Sequence, residues 1–264
     1  QIVQGATGGD TQPGLPSHIG RFLIEREIGR GAMGAIYLAH DPNLAAPVAL
    51  KTLALSKEFS GPDLADARAR FLREAETAGR LQHPDIVHIH DVGESDGLAY
   101  IAMDLLSGTD LSHHTVTGHL LPVRTVLEVI ARVADALAYA HTRGVLHRDV
   151  KPANAMVVRR PSGEEMVKIF DYGIAALIAR PRQTVGPRLT HRDVLVGTPE
   201  YIAPERLDGD QADDERADVY SLGVTLYELF TLFTPFSGDS THEILLRIGQ
   251  GNPLPPRERN RAIS

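Results

Sequence analysis

Apolar side chains recur with two periods along the chain, and the period changes from strand-like to helical as the chain proceeds. Phe22, Ile24 and Ile28 lead into Gly29-Arg30-Gly31-Ala32-Met33-Gly34, and Ile36, Leu38 and His40 then alternate with Ala35, Tyr37 and Ala39. A period of two marks a strand, so two strands joined through a glycine-rich turn are predicted. Val48-Ala49-Leu50-Lys51 reads as a third strand, and Ile86 to Val92 and Leu98 to Met103 as a hairpin around Glu94-Ser95-Asp96-Gly97. That makes an antiparallel sheet of five strands. Between the third strand and the hairpin, Leu64, Ala67, Phe71, Ala75 and Ala78 recur at three and four, predicting an amphipathic helix over Asp63 to Leu81 closed by His83-Pro84.

Beyond the hairpin the helical period dominates. Val126, Val129, Ile130, Val133, Leu137 and Ala140 predict a long buried helix over Leu121 to Arg143, ended by Gly144. Met156-Val157 and Val167-Lys168-Ile169 read as short strands about the turn Pro161-Ser162-Gly163, and Asp218 opens a strongly apolar helix through Phe230. Gln1 to His18 has glycines and prolines without periodicity, the signature of a flexible leader. The class predicted is α+β, sheet first and helices after.

Composition narrows the chemistry without choosing it. A length of 264 residues, 42% of them hydrophobic, suits one large domain or two small lobes. The net charge of −7 argues against a nucleic-acid partner and mildly favours partners with basic segments. No cysteine is present, which excludes disulfides and thiolate metal sites and fits a reducing, cytoplasmic setting. No apolar run reaches the roughly 18 residues of a membrane span, so no membrane contact is expected within this stretch. A chain opening on Gln1 reads as a fragment or processed form, and an anchor outside it stays open.

Four groups of residues could carry chemistry. The G-x-G-x-x-G of Gly29, Gly31 and Gly34 is followed by a strand and not by the helix of a dinucleotide fold, so it reads as a turn able to bring backbone amides to phosphate oxygens. Lys51 places an ammonium on an apolar strand, where a buried cation needs an anionic partner; an edge strand would instead leave it in water. On the next helix Glu74 lies about 60° from Phe71 at the margin of the apolar stripe, whereas Glu76 lies about 140° away and faces solvent. His88 and His90 share a strand face but lack a third ligand for a metal, so surface histidines are the reading. Finally, His147-Arg148-Asp149-Val150-Lys151-Pro152-Ala153-Asn154, with Asp171-Tyr172-Gly173 beyond the second short strand, gathers two carboxylates, an ammonium and a carboxamide. Pro152 stops a helix from running through Asp149, and Asn154 and Asp171 fall close enough to share a metal ion.

His147 to Asn154 resembles the catalytic loop of the eukaryotic-like protein kinases, in wording closest to the bacterial serine/threonine kinases, and the likeness recurs in order from about Phe22 to the last residues. It implies a two-lobed kinase fold: leader 1–18, then a domain over 19–264 with a small five-stranded lobe (19–104), a connector (104–108) and a larger helical lobe (109–264) lacking its last helices. Family members continue beyond that end with a helix whose arginine pairs with the glutamate at the position of Glu205. The resemblance also implies ATP and Mg²⁺, with Mn²⁺ as an alternative ion. Nucleotide contacts would come from Ile28, Gly29, Gly31, Gly34, Ile36, Ala49, Lys51, Met103, Asp104, Leu106, Met156 and Asp171. Lys51 would take the α/β-phosphates and pair with Glu74, Met103 would control the back of the pocket, and the backbone of the connector would take the adenine edge.

In the reaction so implied, Asp149 orients the proton of the incoming hydroxyl, Lys151 neutralises the γ-phosphoryl, and Asn154 with Asp171 holds the metal. Lys151 argues for Ser/Thr hydroxyls of proteins, since tyrosine-directed relatives usually carry alanine or arginine there. His147 is a packed core residue, and Asp218 ties down the loop backbone, unless it is only an early-helix acid favoured by the macrodipole. Arg148 pairs with a phosphate on the following loop, for which Thr190 is preferred to Thr184, and Thr198 contacts Asp149 and Lys151. A kinase-domain dimer would serve autophosphorylation. Tyr172 departs from the usual phenylalanine of D-F-G by a hydroxyl that needs a partner or water. It should join a spine with Ala78, Ile89 and His147. Tyr172 and the early end also motivate a nucleotide-binding pseudokinase scaffold as the alternative. The peptide-substrate-like segment from Gly197 to Glu205 disfavours a small-molecule phosphotransferase.

Overall fold

The computed structural model of the protein describes residues 15–31, 34–159, 165–172, 198–207 and 214–263, with Glu58 described by its backbone alone. The chain divides into two units, Gln1–Thr109 with Val158–Glu164, and Asp110–Val157 with Glu165–Ser264.

In the first unit, β1 (His18–Ile19), β2 (Phe22–Gly31), β3 (Gly34–Asp41), β4 (Ala46–Leu53), β5 (Ile89–Ser95) and β6 (Leu98–Asp104) form one sheet in the order β1-β2-β3-β4-β6-β5. Each pair is antiparallel. The five expected strands are present, and β1 corrects their number to six. His18 therefore belongs to the sheet and not to a leader; two residues before a turn at Gly20, with φ +55, carry no periodicity to read. β5 starts at Ile89 and not at Ile86, because the amides of Asp85 and Ile86 are taken by His83 Nδ1 (3.1 Å) and His83 O (3.1 Å) in a local turn.

Strand register sorts the side chains into two faces, since directly opposed residues share a side and alternate residues reverse it. Ala35, Tyr37, Ala39, Val48, Leu50 and Ala102 form one buried cluster with Ile19 and Phe22. Gly29, Ile36, Lys51 and Ile101 run across the other face in one row, with Ala49 opposite Met103 beside them. The first helix, α1 (Leu55–Glu58), is one turn long; the second, α2 (Gly61–Gly79), buries Ala67, Phe71, Ala75 and Ala78. A Cβ on Gly79 would touch Ile89 at 3.7 Å, and Ile89 pairs with Met103, so the end of α2 covers the Lys51 face.

One arginine ties the two edges of this sheet. Arg21, in the β1–β2 turn, donates from Nε to Asp41 Oδ1 (3.1 Å) and from Nη2 to Asp41 Oδ2 (3.0 Å), and reaches Asp91 Oδ2 on β5 with Nη1 (2.6 Å). Since β1 and β5 lie at opposite ends of the strand order, the sheet must curl for this to happen. Asp41 is fully buried, and its bonds with Arg21 hold its carboxyl below the ordinary carboxylate range. Phe22 meets Tyr100 edge to face at 5.4 Å beneath the guanidinium.

The second unit is helical around α3 (Val123–His141) and α4 (Glu215–Thr231), followed by α5 (Thr241–Gln250) and α6 (Pro256–Arg259). A second sheet has the order β7-β8-β9, from Gly108–Asp110, Ala155–Arg159 and Glu165–Ile169. α3 buries every position of the predicted stripe and ends at His141, and Gly144, with φ +71, reverses the chain just beyond it. α4 starts three residues before Asp218, capped by Asp214, and buries polar residues among apolar ones. Ser221, Thr225 and Thr231 can be buried because each hydroxyl donates to the carbonyl four residues back, at 2.9, 2.9 and 2.7 Å. The tail is fastened to α4 by Tyr227 Oη on Leu254 O (2.9 Å) and Asn260 Nδ2 on Phe230 O (2.7 Å).

Replacing Arg21 with methionine strands Asp41 without its guanidinium, so an unfolding midpoint in urea should report a loss of about 2–3 kcal/mol. Asp91→Asn, on the more exposed side, should cost under about 1 kcal/mol.

Candidate active site

Three segments of the second unit build the site: the chain after α3, the β8–β9 hairpin ends, and the first turn of α4. Past Gly144, Val145 N–H returns to Ala140 O at 3.0 Å, and the next residues run beside α4. There the buried Asp218 carboxylate accepts from His147 N (2.7 Å, Oδ2), Arg148 N (2.7 Å, Oδ1) and His141 Nε2 (2.8 Å, Oδ2). Burial pushes the Asp218 carboxyl up, but these donors outweigh it and leave it below the usual range. Asp218 is therefore a clamp on the loop backbone and more than a helix-start acid. Arg148, so held, takes φ +64, a left-handed conformation uncommon for a residue with a Cβ.

His147 is buried among these groups, and burial pushes its imidazole down. Its Nε2 faces Phe170 O at 3.1 Å and its Nδ1 faces Asp149 N at 3.3 Å. A carbonyl can only accept and an amide can only donate, so the ring is neutral with its proton on Nε2. It supports the loop from inside.

Asp149 lies at the surface of this frame. Lys151 Nζ donates to both its oxygens, at 3.0 and 2.8 Å. Asn154 Nδ2 donates to Asp149 O at 2.7 Å and to Asp149 Oδ2 at 2.8 Å. Both partners of that nitrogen are acceptors only, which leaves Asn154 Oδ1 as the atom able to face a cation. Asn154 O in turn accepts from Phe170 N at 3.0 Å, which brings Asp171 next to Asn154. An amide oxygen and a carboxylate suit a hard cation that completes its shell with phosphate oxygens and water. Asp149, Lys151, Asn154 and Asp171 are thus brought together, with the buried Met156 following Asn154 on β8.

The remaining candidates lie in the first unit. Gly29, Ile36, Ala49, Lys51 and Met103 share one sheet face, Gly31 and Gly34 pair at the β2–β3 tip, and Ile28 falls in a register irregularity between Glu27 and Gly29. Glu74 is half-buried and Glu76 exposed, as their helical angles predict. Asp104 N–H is committed to His88 O (3.0 Å), its side chain takes His90 Nε2 (2.9 Å), and Leu106 is buried after β6. His90 thus has its partner in Asp104, and no cluster of three His, Cys, Asp or Glu suited to a metal occurs among the described residues. Of the spine residues, His147 and Tyr172 stack with centroids 4.6 Å apart.

Thr184, Thr190 and Gly173 lie outside the described residues. Thr198 is exposed, and among the described residues it makes no hydrogen bond to Asp149 or Lys151, whose polar atoms already engage each other and Asn154. Tyr201 instead fastens this segment: its backbone carbonyl accepts from Ser221 Oγ at 2.8 Å, and its hydroxyl donates to Glu228 Oε2. Burial raises the Glu228 carboxyl. Neither His141 nor the Tyr201–Glu228 pair was found from sequence, since partners 77 and 27 positions apart leave no periodic signal.

A family model described as "Protein kinase domain" matches residues 22–254. The chain belongs to the protein kinase domain family. Among relatives of this kinase-family chain, the serine/threonine-protein kinase PknF of Mycobacterium tuberculosis is 42% identical over 219 residues, 81% of this chain and 44% of that one. PknJ of the same organism is 39% identical over 242 residues, 91% of this chain and 39% of that one. The chain therefore spans about two-fifths of the length of these relatives. The crystal structure of the Mycobacterium tuberculosis PknI kinase domain aligns with a TM-score of 0.66 at 34% identity, covering 89% of this chain and 87% of that one. The two-unit α+β architecture is that of a kinase fold.

The neutral, buried His147 predicts a pH dependence of stability. Its folded pKa lies below the ordinary 6.5, so below that pH the unfolded chain binds a proton that the folded chain refuses. Its contribution is complete above pH 6.5 and is lost as the pH falls, by up to about 1.4 kcal/mol per pH unit. Urea titrations from pH 8 to 5 should show the slope in the parent and less of it in His147→Gln; parallel curves would contradict a neutral ring.

Proposed function

We propose that the chain is the catalytic domain of an ATP-dependent serine/threonine protein kinase, which transfers the γ-phosphoryl of ATP to hydroxyls of proteins. The observation that carries this reading is the Asp149 carboxylate held by Lys151 and Asn154, with Asp171 one residue past the Phe170–Asn154 bond. Asp149 orients the substrate hydroxyl and receives its proton, and the ammonium of Lys151, within 3 Å of that carboxylate, compensates charge on the transferred group. Asn154 Oδ1 and Asp171 hold Mg²⁺, or Mn²⁺ in its place, which when bound neutralises the phosphates. Lys51, with Glu74 as its partner, takes the α/β-phosphates in this scheme. Ala49, Met103, Asp104, Leu106 and Met156 surround the base, and Ile28, Gly29, Gly31, Gly34 and Ile36 cover the nucleotide.

Support for serine and threonine comes from Lys151 and from relatives that bear that description. Basic protein segments suit the net charge of −7. No described helix is long and apolar enough to cross a membrane, and we place the reaction in the cytoplasm. Two copies of the domain would phosphorylate each other on the loop that carries Thr184 and Thr190, where Arg148 can pair with the new phosphate.

Incubation with Mg-ATP followed by mass spectrometry should find phosphate on Thr190, and Asp149→Asn should reduce its rate of appearance by at least about 100-fold. Phosphate that is indifferent to Asp149 would mark a contaminating kinase. None at all, with nucleotide still bound, would make the chain a scaffold.

A further inference from the structure

Three histidines gather between Leu111 and Leu120 at the surface of the helical unit, and none of them belongs to the Asp149 site. His113 and His114 lie in the single 3₁₀ turn Leu111–Thr115, which Asp110 caps by accepting from Ser112 N at 3.0 Å. Leu111 anchors this turn from within, fully buried and lining one small cavity with Lys151 and Asn154. A second turn then folds the chain back. His119 N–H bonds Val116 O at 3.1 Å, and Gly118 supplies the φ of +88 that a turn of this kind needs. His119 is thereby returned to His113, the two rings stacked with centroids 4.1 Å apart and inclined at 31°. His114 meets His113 nearly at right angles, 5.3 Å away at 82°. His113 and His119 are exposed and His114 is half-buried.

One hydrogen bond sets the chemistry of this group. His114 Nδ1 lies 2.9 Å from His119 O, and a carbonyl only accepts, so Nδ1 carries the proton and Nε2 of the neutral ring keeps a lone pair. An imidazole whose one N–H is held by a carbonyl is the usual form of a metal-bound histidine. Two imidazoles that share a tetrahedral zinc at about 2.0–2.1 Å from each nitrogen have centroids about 5 Å apart. His113 and His114 stand at that separation. His119 lies too close to His113 and too nearly parallel to ligate beside it, and no three donors among the described residues stand ready-made for a metal. Its exposed ring can swing off the stack, and the bond from His114 survives the swing because it goes to the His119 backbone. His88 and His90 also meet, at 4.9 Å and 85°, but that pair lacks a third imidazole and His90 Nε2 is already bound to Asp104 Oδ1 at 2.9 Å. We propose that His113, His114 and His119 form a site for a borderline transition cation, Zn²⁺ foremost, completed when His119 turns off the stack and water takes the fourth position. Mg²⁺, which prefers oxygen donors, is a poor match for three imidazoles, so the two cations sort between this site and Asn154 with Asp171. A zinc ion here fastens the turn that Leu111 packs beside the catalytic loop. The site does not depend on the kinase reading.

Titration of the protein with ZnCl₂ in excess Mg²⁺, read by calorimetry and by the NMR signals of the histidine rings, tests the site. One equivalent should bind saturably, and the ring signals of His113, His114 and His119 should shift together. His113→Gln and His119→Gln should each weaken binding by at least about 10-fold, the least that even an outer-shell change at a metal site costs. His90→Gln, outside the loop, should bind zinc as the parent does. Both loop substitutions fall on exposed side chains, so zinc-free melting curves should match the parent and separate lost binding from misfolding. Absence of saturable binding would overturn the proposal, as would binding that survives both loop substitutions or is lost in His90→Gln. Zinc displaced by Mg²⁺ would also overturn it, by placing the ion on Asn154 and Asp171.

Discussion

A single buried carboxylate holds the loop from His147 to Asn154 against α4. Asp218 has 1% exposure, and an ionised group at that depth persists only if its lone pairs are met by donors. Three donors meet them, two of which are the consecutive amides of His147 and Arg148. The loop cannot relax without leaving a buried charge short of partners, so the left-handed Arg148 is held in a conformation that its own side chain disfavours. The next residue is Asp149, so α4 fixes the backbone that leads into it while Lys151 and Asn154 hold its carboxylate. The sheet-rich unit repeats the device: Asp41, fully buried, anchors Arg21, whose remaining nitrogen reaches Asp91 across the curl. In each case the cost of a desolvated carboxylate fixes a geometry that apolar packing alone would leave adjustable.

Neutrality at His147 completes the frame. An imidazolium at this depth would have lost its hydration, and the nearby Asp218, Asp149 and Asp171 do not restore enough to keep the proton on the ring. The neutral ring offers one donor and one acceptor, and the structure uses both, linking Phe170 on one side to Asp149 on the other. One ring therefore spans Phe170, whose amide bonds Asn154 O, and the amide of Asp149, so that a buried histidine serves here as a structural link between two segments.

Local spacing made much of this legible. The alternation in β2, β3 and β4 and the three-four spacing in α2 and α3 predict elements that exist, and the angle between Glu74 and Phe71 picks the half-buried glutamate over the exposed one. The catalytic loop is legible because its chemistry is contiguous: eight residues carry the acid, the ammonium and the amide. What stays hidden is either too short for a period, as in β1, or depends on distant segments meeting. Arg21 with Asp41 and Asp91, His141 with Asp218, and Tyr201 with Glu228 are of the second kind. The pattern says that Asp218 is polar on an apolar helix; only the fold says which amides it meets.

The glycine-rich turn shows why a motif can be read correctly and still conceal two causes. A Cβ on Gly34 would lie 1.8 Å from Thr52 O, so the third glycine is required by the close approach of the start of β3 to the end of β4, whatever binds nearby. A Cβ on Gly29 would make ordinary contact with Ile36 at 3.7 Å. Gly31 differs from both, since a Cβ there would meet no atom of the described residues within 4 Å, its chain neighbours apart. Packing accounts for Gly34 and is compatible with a side chain at Gly29 and Gly31. A requirement for glycine at position 31 would then have to come from something the chain holds and does not itself contain, which is the role that the proposed triphosphate would fill. The same three letters of sequence thus divide into one glycine that the sheet requires and two that its packing does not.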